Sequence, residues 1–177
     1  MRPVYTHKVF NLAIDTLTCV WGGLLLPKLC WNELGTALAP YPHLVSFESS
    51  IDEDTHLSKD NYFSICSSDK RVQEVGNNAC CMVALFAFET LKTHSTYDTI
   101  RNEVPVKFLY HLRNASAHGN RFNFCLDRAR NRFQDPGVLK WRNKTIDKSL
   151  QEHQAFTDFF GAGDFGYLFE DISKIMS

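Results

Sequence analysis

The sequence lacks paired cysteines and apolar runs long enough to suggest a membrane span. Its six cysteines, at positions 19, 30, 66, 80, 81 and 125, form no CxxC or CxxH pair. Reduced thiols explain them better than disulfides or a zinc site. The apolar run over residues 17–26 is short and is closed by Pro27 and Lys28. This run predicts a buried helix, and because no signal-peptide pattern precedes it, a cytoplasmic location is expected.

Repeats, low-complexity segments and phosphate-binding loops are also absent. The turn GAGDFG, at residues 161–166, follows no predicted strand and has no Walker lysine, which favours a helix entry over a phosphate cradle. Apolar residues, by contrast, are plentiful: of 177 residues, 44% are hydrophobic and fourteen are phenylalanine. That content is enough for a full core, and we expect a single domain over residues 1–177.

The net charge of −1 conceals a segregation of charge along the chain. Residues 101–150 carry eleven Lys and Arg against four Asp and Glu, whereas the remainder carries eight against sixteen. Such asymmetry suits a local contact with a polyanion. Three arginines that alternate in the basic part are candidate remote phosphate contacts: Arg128, Arg130 and Arg132.

Helical periodicity dominates most of the chain. A first helix is opened by Pro3 and kinked at Pro27, after which the helical pattern continues to Leu38. A last helix begins at Asp164. Asp69 caps a second long helix, in which apolar side chains recur three and four apart. The residues that recur in this way, and so indicate its core-facing side, are Val72, Val75, Ala79, Met82, Val83, Phe86 and Thr90.

Two regions break this pattern. Residues 40–66 mix Pro, Ser, Asp and aromatics without a sustained period, which predicts a loop with one short helix. Alternation from Val138 to Ile146 indicates a β-hairpin or an irregular arm. The predicted fold class is therefore all-α: an up-and-down helical bundle with an irregular or short β-hairpin insertion before its last helix.

The segment FLYHLRNASAHGN, residues 108–120, combines a helical apolar side with an unusual polar side. At about 100° per residue, the core-facing stripe consists of Phe108, Leu109, Leu112, Ala115 and Ser116. Pro105 suits the first turn of this helix, and Gly119 suits the left-handed residue that ends it. Polar residues three and four apart share the opposite face: Lys107, His111, Asn114 and His118.

Arg113 and His118 form the candidate functional pair of this segment. Arg113 lies about 140° round the helix from His118, so both side chains can serve one ligand. The helix dipole favours a protonated imidazole at the C-terminal position of His118. An Arg followed by four residues and a His also occurs at Arg2 and His7, where Pro3 argues against a site.

The RNASAHG sequence resembles the Arg-X4-6-His motif of the HEPN superfamily, small all-α domains of toxin-antitoxin, phage-defence and RNA-processing systems in which Asn commonly follows the Arg. The resemblance covers residues 106–120. It implies that Arg113 and His118 are the catalytic pair and that Asn114 is an accessory polar residue. It also implies a metal-independent endoribonuclease that acts as a homodimer through its motif helix. Such a toxin or antiviral-defence effector is restrained by an antitoxin or regulatory protein.

One His, one Arg and an Asn, without an acid cluster to hold magnesium, suit transesterification in RNA. His118 would activate the 2′-hydroxyl or protonate the leaving 5′-oxygen. Arg113 would clamp the scissile phosphate, and Asn114 would position His118 or donate to a phosphate oxygen. Because one His cannot be both acid and base in one step, a dimer would supply the second. The expected products are a 2′,3′-cyclic phosphate and a 5′-hydroxyl, without metal or cofactor, and DNA is spared.

Further candidates surround the pair. Those expected to contact substrate are Lys107, His111, Arg121 and Asn123. Glu89, on the second long helix, would orient a catalytic His or instead form an ion pair, and Arg113 has Glu89 and Asp171 as candidate partners. Two other functions stay open: an inactive module of the same fold that binds RNA or a nucleotide, and a helical interaction protein in which RNASAHG only packs a helix end.

Overall fold

The computed structural model describes residues 7–41, 43–47, 55–124, 126–127, 132–133 and 137–177. This part of the chain is mostly helical, and a small two-stranded antiparallel sheet lies before the last helix. The predicted helical class and hairpin insertion are thereby confirmed. The predictions for Pro3, Arg128 and Arg130 lie outside the described residues, as does the one for the side chain of Arg132.

The elements follow the chain in a simple order. The helices are α1 (Asn11–Leu29), α2 (Trp31–Leu38), α3 (Lys59–Cys66), α4 (Asp69–Lys92), α5 (Tyr97–Ile100), α6 (Val104–Ala117) and α7 (Asp164–Met176). The strands are β1 (His43–Phe47), β2 (Thr55–Ser58), β3 (Leu126–Asp127), β4 (Arg132–Phe133), β5 (Leu139–Trp141) and β6 (Lys144–Ile146). They pair only as antiparallel neighbours, β1 with β2, β3 with β4 and β5 with β6. Short 3-10 helices occupy Lys8–Phe10 and Lys148–Leu150.

The described residues group into two compact units, Met1–Leu17 with Asn77–Ser177, and Thr18–Gly76. The first unit has an aromatic core around α6, in which Phe108 is fully buried. The Phe108 ring lies 5.1 Å from the Trp141 ring of β5 and 6.0 Å from that of Phe160. Phe10 stacks on Phe169 of α7 with 4.4 Å between ring centroids. The abundant phenylalanine therefore holds α6, the hairpin and α7 together.

The second unit has a smaller core. Leu24, Cys66 and Val72 are buried there. Gly76 of α4 lies so close to Trp21 that an added Cβ would come within 2.4 Å of the indole ring. Close approach of the two helices at this point therefore requires a residue without a side chain. Helices α1 and α4 are each divided between the two units. This division does not test the prediction of a single domain, which stays a prediction.

Several local predictions for α1 to α4 were wrong. Residues 40–66 contain the β1–β2 pair in addition to the expected short helix α3. Helix α4 is capped by Ser68, whose hydroxyl accepts a hydrogen bond from the Arg71 amide at 3.3 Å, and not by Asp69. Met82 and Phe86 were assigned to the core, but they are 66% and 43% exposed.

Helix α1 also differs from the buried helix that was predicted. Leu17 and Leu24 are buried, whereas Leu25 and Leu26 are about half exposed. The segment Lys8–Leu29 is long and apolar enough to cross a membrane by length and composition alone: an 18-residue window within it has a mean hydropathy of 1.6, and 22% of that window is buried. A cytoplasmic location stays a prediction.

Candidate functional site

Helix α6 presents the motif as its periodicity predicted. Pro105 stands in the first turn, where its missing N–H leaves no hydrogen bond unmade. The predicted core-facing stripe of Phe108, Leu109, Leu112, Ala115 and Ser116 is buried throughout. Arg113, Asn114 and His118 are therefore turned away from the core, and they can meet a ligand.

The last helical residue of α6 is Ala117, and His118 is the residue that caps its C-terminal end. The His118 amide donates to the carbonyls of Asn114 and Ala115, each at 3.1 Å. Gly119 follows with a left-handed φ of 71°, as predicted for the residue that ends this helix. This helix end fixes the position of the His118 backbone at the C-terminus of α6.

Arg113 is held by an acid on the neighbouring helix. Its Nε and Nη2 donate to Glu89 Oε1 at 3.1 and 2.7 Å, and its Nη1 donates to the Asn114 side-chain oxygen at 3.4 Å. Of the two expected partners, Glu89 is the one found. Because a guanidinium has five N–H donors, two remain without a partner among the described residues. The group is thus oriented and still able to bind an anion.

His118 stands apart from this network. Its side chain is exposed, and its imidazole has no hydrogen-bond partner within the described part of the chain. The structure therefore joins Arg113 to Asn114 and Glu89, and it leaves the imidazole of His118 open to solvent at the end of the same helix. Among the described residues, no contact supports the expectation that Glu89 or Asn114 positions His118.

The candidate substrate contacts differ in their surroundings. Lys107 is exposed. His111 is largely buried between Tyr110 and Phe124, with ring centroids 5.3 and 6.0 Å away. Burial lowers the pKa of His111 to about 4, so its ring is neutral at pH 7. A neutral, packed imidazole supplies no charge to a phosphate, which weakens the case for His111.

Arg121 and Asn123 lie just beyond the helix. The Arg121 amide donates to the Ala115 carbonyl at 3.1 Å, and its Nη1 donates to the Glu152 carbonyl at 2.7 Å. Asn123 is partly buried and has a partner of its own. Arg121 therefore contributes to the structure around the helix end, and it retains exposed N–H donors for a phosphate.

Asn120 was not among the predicted residues, yet it anchors the turn that follows His118. Its φ is 66°. Its amide nitrogen donates to the Phe156 carbonyl at 2.9 Å, and its amide oxygen accepts from the Phe156 N–H at 2.8 Å. The Asn120 carbonyl accepts from the Ala155 N–H at 3.0 Å. Tolerance of Asn for the left-handed region was the sequence signal available, but nothing in the sequence indicated its distant partner.

Metal ions and reactive thiols are two other sources of chemistry that the described residues could offer. No three His, Cys, Asp or Glu side chains there converge as a metal site would require. The cysteines at 19, 30, 66 and 81 are free thiols. Burial raises the pKa of the Cys81 thiol, which lies beside Ser116. A raised pKa disfavours the reactive thiolate.

Comparison with protein-family models, with curated proteins and with solved structures finds no match to this chain. The function is therefore inferred from the residues and their geometry.

Proposed function

We propose that this protein is a metal-independent endoribonuclease of the HEPN type that cleaves RNA at the exit of helix α6. The observation that carries the proposal is a guanidinium fixed by Glu89 and Asn114, five residues before an exposed imidazole that has no hydrogen-bond partner among the described residues. Arg113 is the phosphate ligand, His118 the proton-transfer group and Asn114 the accessory polar residue. The basic balance of residues 101–150 supports a polyanionic substrate.

Arg113 acts on the scissile phosphate. Glu89 holds its Nε edge, and the two remaining N–H donors bind the non-bridging oxygens, on which negative charge grows during the reaction. A guanidinium that is already oriented loses little side-chain entropy when the phosphate arrives. Lys107 and Arg121 add weaker, sequence-independent phosphate contacts.

His118 moves the protons. The 2′-oxygen attacks phosphorus while its proton passes to a base, and the bond from phosphorus to the 5′-oxygen breaks as an acid protonates the leaving group. The products are a 2′,3′-cyclic phosphate and a 5′-hydroxyl. One imidazole cannot be base and acid in the same step, so we propose a homodimer whose two motif helices place two His118 side chains at one site.

The biological setting follows from the activity. An unrestrained ribonuclease damages the cell that makes it, so a cytoplasmic toxin or antiviral-defence effector, restrained by an antitoxin or regulatory protein, is the proposed role. The helices are proposed to form the up-and-down bundle of that class.

A second function has one observation in its favour. The Arg113–Glu89 contact also has the form of an ordinary ion pair between two helices, with the two side chains 33% and 48% exposed. If that is its whole role, the protein is a module that binds RNA without cutting it.

The deciding experiment incubates purified protein with labelled tRNA and mRNA in EDTA and determines the product ends. Wild-type protein should cut and leave cyclic phosphates, and His118→Ala should bind RNA without cutting it. His153→Ala, which removes another exposed histidine, is the matched control and should cut like wild type. Equal cleavage by wild type and His118→Ala would reveal a contaminating nuclease and remove the proposal. Intact RNA with tight binding would support the second function.

A further inference from the structure

The tip of the β5–β6 hairpin holds an arginine in an unfavourable backbone conformation. Trp141 pairs with Lys144, so Arg142 and Asn143 form a two-residue turn. Arg142 has a φ of 50°, a region in which Gly and Asn are the usual turn residues. Such strain persists where the surroundings fix the residue, and it is a reason to look for a function.

The guanidinium of Arg142 is fixed from one side. Its Nε and Nη2 donate to the two carboxylate oxygens of Asp171, each at 2.9 Å. The buried Trp141 indole donates to the same carboxylate at 3.0 Å. This bidentate pairing raises the pKa of Arg142 and, with the indole, lowers that of Asp171. Three N–H donors of Arg142 have no partner among the described residues.

Tyr167 supplies an aromatic surface next to this group. It precedes Asp171 by four residues on α7 and therefore shares its face of the helix. The Arg142 guanidinium carbon lies 4.7 Å from the centroid of the Tyr167 ring, and 51% of Tyr167 remains exposed. A rigid, half-open aromatic ring next to an oriented guanidinium combines the two groups that bind an unpaired nucleotide, one for the base and one for the phosphate.

We propose that Tyr167 and Arg142 form a stacking platform for one unpaired nucleotide of a single-stranded RNA. The base lies on the open part of the Tyr167 ring, and the free N–H donors of Arg142 bind the adjoining phosphate. This inference rests on the proposed function for its choice of RNA over other polyanions.

The charges around the platform suit that ligand. The acids on α7 that lie closest are already paired, Asp171 with Arg142 and Glu170 with Lys174. Asp164 pairs with Lys144. Lys140 stands on the exposed side of β5. The acids around the platform are therefore each matched by a base, and Lys140 adds one further positive charge.

The platform is separate from the cleavage site but connected to it through α6. Trp141 packs on Phe108, which precedes His118 by ten residues, about 15 Å along a helix. Because the platform adjoins the part of α6 around Phe108 and not its His118 end, it holds a nucleotide remote from the scissile phosphate and acts on affinity rather than on the chemical step.

The test measures binding of a fluorescein-labelled, uridine-rich single-stranded RNA by anisotropy in EDTA, with His118→Ala as the parent protein so that no RNA is cut. Tyr167→Ala should weaken binding by about 5- to 150-fold, which is the range for loss of one stacked base. Tyr167→Phe should bind within about twofold of the parent, because the ring is kept. Tyr41→Ala is the matched control, since Tyr41 is 59% exposed and lacks an arginine over its ring among the described contacts.

Two further measurements separate stacking from loss of folding and from simple charge. Arg142→Lys keeps the positive charge and loses the bidentate geometry, so it should weaken RNA binding several-fold. This variant tests the platform if Tyr167→Ala does not fold. A duplex of the same sequence should compete poorly, because its bases are already stacked on one another.

The outcomes for this inference and for the proposed function are distinct. Equal RNA affinity of the parent, Tyr167→Ala and Arg142→Lys would overturn the platform even if wild type cleaves RNA. Loss of affinity in both variants would support it even if wild type leaves RNA intact. No measurable binding of single-stranded RNA by the parent would also overturn it.

Discussion

Glu89 Oε1 accepts two hydrogen bonds from Arg113, from Nε at 3.1 Å and from Nη2 at 2.7 Å. The contact links α4 to α6 at the level of the motif. It fixes one edge of the guanidinium and leaves the remaining donors for an anion. An exposed pair of this kind contributes at most about 1 kcal/mol to stability, so its value to the protein is more readily explained by orientation than by stability.

Glu89→Gln tests this interpretation. The amide keeps the size of the side chain but removes the charge-assisted hydrogen bonds, so we expect RNA cleavage to fall by roughly tenfold while the free energy of unfolding changes by less than about 1 kcal/mol. Single-turnover cleavage and urea denaturation provide the two readouts. Glu74→Gln, which breaks an exposed ion pair with Lys70 on the same helix, is the control and should alter neither by much. Unchanged cleavage by Glu89→Gln would make the pair purely structural.

His111 gives the protein a specific dependence of stability on pH. Its pKa is about 4 in the folded chain and about 6.5 when unfolded. Between those values the unfolded chain binds more protons, so stability falls as the pH drops below 6.5 and levels off below 4. The loss between pH 7 and pH 5 amounts to about 2 kcal/mol.

Urea denaturation of wild type and His111→Gln at pH 7 and pH 5 measures this contribution. The variant should lose about 2 kcal/mol less than wild type on acidification, whatever its stability at pH 7. His153→Gln removes an exposed histidine and should retain the wild-type dependence. An identical loss in His111→Gln would show that the imidazole is protonated in the folded chain.

The orientation of α6 was predictable because it depends on local periodicity. Phe108 and Ser116 face the core because helical spacing places them on one side of α6. Gly119 ends that helix because of its own backbone freedom. The hairpin at Leu139–Ile146 was likewise indicated by its alternation. Each of these inferences uses residues that are close together in the chain.

The errors concern contacts between distant residues. Met82 and Phe86 fit an apolar helical pattern, but which side of α4 is covered depends on the elements that pack against it. Asn120 and Phe156 are 36 residues apart, and no local signal joins them. Glu89 was one of two candidate partners for Arg113, and the other, Asp171, is occupied by Arg142. Composition alone does not choose between such partners.

Two glycine substitutions should change stability in opposite directions. An added Cβ at Gly119 or Gly22 meets nothing within 4 Å. Contacts with neighbouring atoms therefore do not decide whether the free energy of unfolding rises or falls. Gly119 has a φ of 71°, and Gly119→Ala should cost about 1–2 kcal/mol. Gly22 lies within α1, where Gly22→Ala should stabilise by about 0.5–1 kcal/mol. Urea denaturation at one pH measures both, and equal signs would contradict the assigned backbone conformations.

Coexpression with an inactive variant tests the proposed dimer. A mixed dimer of wild type and His118→Ala contains two guanidinium groups but only one imidazole, which cannot be both base and acid in one step. Cleavage per wild-type chain should therefore fall as the share of His118→Ala chains rises. The control coexpresses His153→Ala, which keeps both His118 imidazoles and should leave cleavage per chain unchanged. A monomeric mass by light scattering, together with cleavage by wild type at that concentration, would exclude a site shared between two copies.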